Sequence, residues 1–284
     1  CNADIGLPDM GLEEAAEKGV KTLIVGVANQ GGYISEAWAE TLLKAVDLGF
    51  DIASGLHASL VSVPGLAVVA KEKGCQLFDV RHPTEIFDVG RGYKRSGNRL
   101  LTVGTDTSVG KMFTTLAIEK EMRARGTNCT FRATGQTGIF IAGDGVSVDA
   151  VVADFISGST EWLCPDNDAD HWDLVEGQGS IHHASYAGVT LGLLHGSQPD
   201  VLVMCHDPGR PHMRGTPSIP VYSLTDTIEA CERVARLTNP DVRTVGISIN
   251  TSKLSDGDRE HELKAAADET GLPAVDPVKD GVGP

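Results

Sequence analysis

A strand, a glycine turn and a lysine at the mouth of a helix follow one another in "LLTVGTDTSVGKMFTTLAIEKEMRARG", residues 100–126. That order surrounds an anion with backbone N–H groups and the positive end of a helix. The cradle runs through Gly104, Thr105, Asp106, Thr107, Ser108, Val109 and Gly110 to Lys111. Phosphate loops of NTP-using enzymes place serine or threonine after the lysine, because its hydroxyl ligates the Mg²⁺ that rides on the phosphates. Here Met112 follows, and five residues separate the two glycines where the commonest pattern has four. Thr114 lies about 200° further round a helix, and Thr115 returns to the right side about 4.5 Å further along, so neither hydroxyl replaces the missing one.

The elements that must position this cradle read as parallel βα units, in which apolar runs end at glycine and helical segments follow. "VKTLIVGV" is expected as a strand running into the N–H-rich turn "ANQGG" at 28–32, and "SEAWAETLLKAVDLG" as a helix capped by Ser35 with Gly49 beyond its end. Strand "FDIAS", helix "GLAVVAKEKG" and strand "CQLFDVR" complete a Rossmann-like domain over residues 1–93. "DVGRGYKRSGNR" marks the boundary. Residues 94–284 then alternate: strand "LLTVGT", the cradle and its helix, strand "CTFRATGQTG", a helix near "VDAVVADFISGSTEWL", strands "HWDLVEGQG" and "PDVLVMCH", helix "DTIEACERVARL" and strand "VRTVGISIN". The fold class is α/β, with a P-loop NTPase-like, doubly wound parallel sheet as the second domain, whose ligands belong beyond the carboxyl ends of the strands. GxGxxG is absent, which gives the first domain little support as a dinucleotide binder.

A net charge of −15 argues against nucleic acid as a partner. No apolar run approaches the roughly 18 residues that span a membrane. The six cysteines show no CxxC pair and no zinc-ligand spacing. Reduced thiols, a cytoplasmic location, no resident metal and a homo-oligomer, taken as a dimer, are the expectations.

The five-residue spacing of GTDTxVGK resembles the phosphate loop of dethiobiotin synthetase and its relatives. "VEGQGS" at 175–180 is similar to the acidic segment that approaches magnesium in that superfamily, and "VGISINTS" ends in Asn250 where those proteins read an adenine. The resemblance implies that the cradle, Asp106, Glu176 and Asn250 converge on one adenine nucleotide. Asp106 and Glu176 could still hold Mg²⁺, yet a phosphate ligand with no obligatory metal fits Met112 better. Coenzyme A is such a ligand.

"RLLTVGTDTSVGKM", "FRATGQTGIFIAG", "DAVVADFISG", "HWDLVEGQGS", "YAGVTLGLLHG", "QPDVLVMCHDP" and "GLPAVDP" resemble the DUF1611 family over nearly the whole chain. The family's characterised representatives are D-glutamate N-acetyltransferases, so the resemblance implies acetyl-CoA as donor and D-glutamate as acceptor. It also implies a further N-terminal strand and helix ahead of residue 1. Such chemistry needs a base for the amine, donors for a developing oxyanion and partners for two carboxylates. Glu176 is the first candidate base, with Asp106 and His182 behind it and His183 alongside. Lys111 is expected on the coenzyme phosphates or on the thioester oxygen. Arg132, Arg210 and Arg214 are the candidates for glutamate's carboxylates, with Thr134 and Gln136 as neutral donors. Two rivals remain: an ATP and Mg²⁺-dependent ligase or kinase of the dethiobiotin synthetase type, and a nucleotide-binding regulatory protein.

Overall fold

The computed structural model describes residues 6–27, 29 and 31–283. The chain divides into two compact units, residues 1–82 and 83–284.

The first unit is Rossmann-like: α1 (Leu12–Glu17), β1 (Thr22–Val25), α2 (Glu36–Asp47), β2 (Asp51–Ser54), α3 (Leu66–Lys73) and β3 (Leu77–Asp79). Its three strands are parallel in the order β1-β2-β3, with Ile24 beside Ala53 and Ala53 beside Phe78. Leu42, Val46, Phe50, Ile52, Leu60 and Leu66 form its core. Ser35 caps α2 by accepting from the Trp38 N–H at 3.3 Å, as its place before an apolar-periodic run dictates. Ala28 and Gln30 of the 28–32 turn lie outside the described residues.

The second unit carries β4 (Asn98–Gly104), α4 (Lys111–Ala124), β5 (Cys129–Arg132), α5 (Gln136–Ala142), α6 (Ile156–Leu163) and β6 (Trp172–Val175). It continues with α7 (Ala187–Ser197), β7 (Val201–His206), α8 (Leu224–Ala235), β8 (Arg243–Ile249), α9 (Asp256–Thr270) and β9 (Ala274–Val275). All six strands are parallel in the order β5-β6-β4-β7-β8-β9. β4 therefore sits at the switch point, between β6 and β7, where ligands of doubly wound sheets bind. Leu101, Val103, Val175, Leu202, Met204 and Ile247 bury the centre of the sheet beneath Leu193 and Leu194 of α7. Among the described residues no helix is long and apolar enough to cross a membrane.

Two expectations change. The units meet between residues 82 and 83 rather than after 93, because the glycine-rich segment is tied to the second unit. Arg91 and Gly92 donate their N–H groups to Glu161 Oε1 at 2.9 and 2.8 Å, and Arg95 Nη2 donates to the Gly196 carbonyl at 2.6 Å. The helix expected across "VDAVVADFISGSTEWL" is two single 3₁₀ turns, Val148–Ala150 and Ala153–Phe155, followed by α6. Helices α1, α5, α7 and α9 were not foreseen.

Candidate active site

The cradle joins β4 to α4. Gly110 stands at φ +108°, a conformation open to glycine, and Ser108 is left-handed at φ +51°. None of the backbone N–H groups of residues 108–113 has an acceptor among the described residues. The cradle thus presents a run of free donors at the positive end of a fourteen-residue helix. Lys111 lies beneath it, buried, with Nζ donating to the Asp106 carbonyl at 2.8 Å. Burial lowers its pKa from 10.5 to about 8. Thr105 is anchored on both sides: its N–H donates to the Cys205 carbonyl at 3.1 Å, and its hydroxyl lies 2.8 Å from His206 Nδ1.

The hydroxyls of α4 turn elsewhere. Thr114 Oγ donates to the Gly110 carbonyl and lies 2.7 Å from Ser248 Oγ. Thr115 donates to the Lys111 carbonyl and lies 3.0 Å from Thr102 Oγ, which also accepts the Gly177 N–H at 2.9 Å. Met112 is half-buried one residue into the helix.

Asp106 is engaged on both oxygens. Oδ1 accepts from the Thr107 N–H at 2.6 Å; Oδ2 accepts from Arg210 Nη1 at 3.0 Å and the Arg214 N–H at 2.9 Å. Arg210 is spent in turn, donating also to Asp207 Oδ2 at 2.9 Å and to the Thr107 and Ser108 carbonyls, each at 2.6 Å. It is a brace of the cradle rather than a grip on substrate. Arg132 gives only Nε to Asp173 Oδ1, at 2.7 Å; its terminal nitrogens have no partner among the described residues, so it keeps its candidacy for a substrate carboxylate. The Arg214 guanidinium is exposed and has no partner among the described residues, so it keeps the same candidacy.

Glu176 follows β6 and is buried, 4% exposed. Its Oε2 accepts from the Thr134 and Gly135 N–H groups at 2.9 and 3.2 Å, and Oε1 from Gln178 Nε2 at 3.1 Å. Burial outweighs these bonds and the nearby Lys111 charge, raising its pKa from 4.5 to about 7. Thr134 is fully buried and supports this carboxyl, with its hydroxyl donating to the Glu176 carbonyl at 2.6 Å; it is not a substrate donor. Gln136, half-buried at the start of α5, leaves its side chain uncommitted among the described residues.

Next in the chain, Gly177 threads between β4 and the lysine: a Cβ there would stand 1.7 Å from the Thr102 carbonyl oxygen and 3.0 Å from Lys111 Cδ. Gly177→Ala is expected to cost about 1–3 kcal/mol or more of stability, since backbone must shift to admit the methyl. The denaturant midpoint reads that cost, and an unchanged midpoint would mean the loop yields freely.

His182 has its ring stacked on Tyr222 at 4.1 Å and 15°, with Nε2 enclosed and without a partner among the described residues. His183 takes the place beside Asp106, 3.9 Å from Oδ1. It accepts the Ser185 N–H on Nδ1 at 3.1 Å, so its proton sits on Nε2 and goes to the Arg214 carbonyl at 2.9 Å. Asn250 directly follows β8; its Oδ1 accepts from the Ser252 N–H at 3.1 Å, and its side-chain amide nitrogen is free among the described residues. His206, Gln178 and Asp207 were missed. His206 ends β7, and burial lowers its pKa below the usual 6.5; its place at a strand end was the available signal.

The protein oxygens nearest the cradle are not left open for a divalent metal. The Asp106 and Glu176 oxygens are already engaged and Met112 offers no hydroxyl. Among the described residues no group of three or more His, Cys, Asp or Glu side chains could hold a metal ion. Five described cysteines are free, and burial pushes the Cys164 and Cys231 thiols up to about 12.

Fold and site together define a two-unit α/β protein whose second unit is a P-loop domain with an anion cradle. The chain belongs to the DUF1611 family. Residues 87–284 match the model described as "Domain of unknown function (DUF1611_C) P-loop domain", and residues 2–83 match the "Domain of unknown function (DUF1611_N) Rossmann-like domain". It is 54% identical over 283 residues to a Tritonibacter scottomollicae protein named D-glutamate N-acetyltransferase, covering 100% of this chain and 85% of that one. A Pseudoalteromonas protein of the same name is 48% identical over 282 residues, covering 99% and 85%. The crystal structure of a DUF1611 family protein from Anabaena variabilis superimposes with a TM-score of 0.88 at 35% identity, covering 95% of this chain and 80% of that one.

Proposed function

We propose that this chain transfers the acetyl group of acetyl-CoA to the amine of D-glutamate. The observation that carries the coenzyme is the cradle: free N–H groups at residues 108–113 over a buried lysine, with the nearby carboxylates committed to protein donors. The acceptor follows from the relatives named for it, at 54% and 48% identity over essentially the whole chain.

Acetyl-CoA supplies an activated acetyl group; this chain's residues bind, orient and move the proton. The cradle N–H groups and Lys111 would take the pyrophosphate, and Asn250 the adenine. Lys111, with a pKa of about 8, is cationic at neutral pH and balances phosphate charge. Glu176, at about 7, ionises in the range where a carboxylate is basic enough to take the ammonium proton before the nitrogen attacks. Arg214, Gln136 and the terminal nitrogens of Arg132 are the uncommitted groups for glutamate's carboxylates.

Thiol release from acetyl-CoA tests this, with D-glutamate, L-glutamate or no acceptor, each with and without EDTA. Release that requires D-glutamate and ignores EDTA is expected. ADP formation from ATP that requires Mg²⁺ would put a ligase or kinase in its place, and coenzyme or nucleotide binding without any acceptor-dependent turnover would indicate a regulatory protein.

A further inference from the structure

A P-loop whose lysine is followed by methionine rather than a hydroxyl still has to keep its donors pointed inward, and Arg210 is placed for that task. Its guanidinium lies at the outer side of the cradle, 17% exposed, and reaches four acceptors: Asp106, Asp207 and the carbonyls of Thr107 and Ser108.

The two carbonyl contacts decide which way the cradle faces. A trans peptide is planar, with its C=O and the next N–H on opposite sides. Drawing the Thr107 carbonyl toward Arg210 turns the Ser108 N–H away from it, and drawing the Ser108 carbonyl does the same for the Val109 N–H. Both N–H groups belong to the free set of residues 108–113. Between them lies Ser108 at φ +51°, a left-handed conformation that a non-glycine residue adopts at a cost. Arg210 bonds the carbonyls on both sides of that residue. The segment bearing it is itself fixed: the Arg210 N–H donates to the Asp207 carbonyl at 3.2 Å, Arg214 donates to Asp106, and Met213 is buried at 2% exposure.

We propose that Arg210 is a positioning residue that holds the cradle in its anion-binding form without help from a divalent cation. Binding of a pyrophosphate-bearing ligand is therefore independent of metal. The proposal rests on the phosphate-binding part of the function proposed above and not on acetyl transfer.

The test is calorimetric titration with coenzyme A and, separately, with ADP, in EDTA and in MgCl₂, on wild type, Arg210→Lys and Arg210→Ala. Wild type is expected to bind equally in both buffers. Arg210→Ala should lose about 10- to 100-fold in EDTA, the scale of a lost charge-assisted hydrogen bond, and Mg²⁺ should restore part of it through the released Asp106 and Asp207. Arg210→Lys, a point charge without the planar fork, should fall between them. If Arg210→Ala does not melt cooperatively, Arg210→Lys alone carries the test through its loss in EDTA. A purely structural arginine would lower the melting temperature without making binding respond to Mg²⁺. The proposal is overturned if wild type requires Mg²⁺, if the folded variants bind like wild type, or if Mg²⁺ restores nothing. Wild type that binds ADP but not coenzyme A would remove the acetyl donor while leaving Arg210 to be read on ADP; binding of neither overturns both.

Discussion

Glu176→Gln is expected to fold, to keep its affinity for coenzyme A and to turn over about 10²–10⁴ times more slowly, the range lost with a general base. The amide is nearly isosteric, and its oxygen can accept the Thr134 and Gly135 N–H groups that Oε2 accepts now. Its NH₂ then meets Gln178, whose own amide can turn to present oxygen. What disappears is the proton acceptor. Wild-type kcat/KM should rise with pH through a limb near 7, where Glu176 ionises, and the variant should lack that limb. Near-normal turnover would move the base elsewhere, with His206 the next group to test.

The same substitution has a stability signature of definite sign. The folded pKa of Glu176, about 7, lies above its ordinary value of 4.5. Its contribution is therefore fully present below about pH 4.5 and is lost as pH rises through 7, because the folded state must then carry a buried charge. Glutamine never ionises. The variant should gain on wild type between pH 5 and 8 by up to about 3 kcal/mol, the equivalent of the pKa difference, and paired thermal melts at the two pH values measure it.

Much of this site was legible because strand ends and glycine turns punctuate a parallel sheet. β4, the cradle and α4 fall where the apolar run, the glycines and Lys111 put them, and Glu176 was identifiable as an acid at a strand end. The missed helices share a cause. α7 is apolar on nearly all sides and carries Gly188, Gly192 and Gly196, while α9 is polar almost all round, so neither shows a stripe. α5, seven residues long, hides behind the glycines of "ATGQTG". Which arginine is free was not legible. How far Arg132 and Arg210 are engaged depends on Asp173 and Asp207 lying within reach, and that is set by tertiary placement, which charge composition does not encode. For the adjacent histidines 182 and 183, only the course of the loop decides which ring meets Tyr222 and which meets Asp106.

Lys111→Met is expected to weaken coenzyme A by about 1.5–3 kcal/mol, or roughly 10- to 150-fold, while making the protein more stable at neutral pH. Both effects come from one fact: an ammonium is held in a buried place where a phosphate ligand can use it. The Lys111 pKa falls from 10.5 to about 8 because burial disfavours the charge. A lowered pKa contributes stability that is present above 10.5 and lost as pH falls through 8, so at pH 7 the folded chain bears the full cost of the buried cation. Methionine keeps the stem that packs on Gly177 and discards the charge. The melting temperature of the variant should exceed that of wild type at pH 7, and the gap should shrink as pH climbs past 8. Binding loss with a stability gain is the mark of a residue kept for its ligand at the expense of the fold. If affinity instead held while the rate collapsed, Lys111 would be acting on the thioester oxygen, and the phosphates would depend on the N–H groups that Arg210 turns inward.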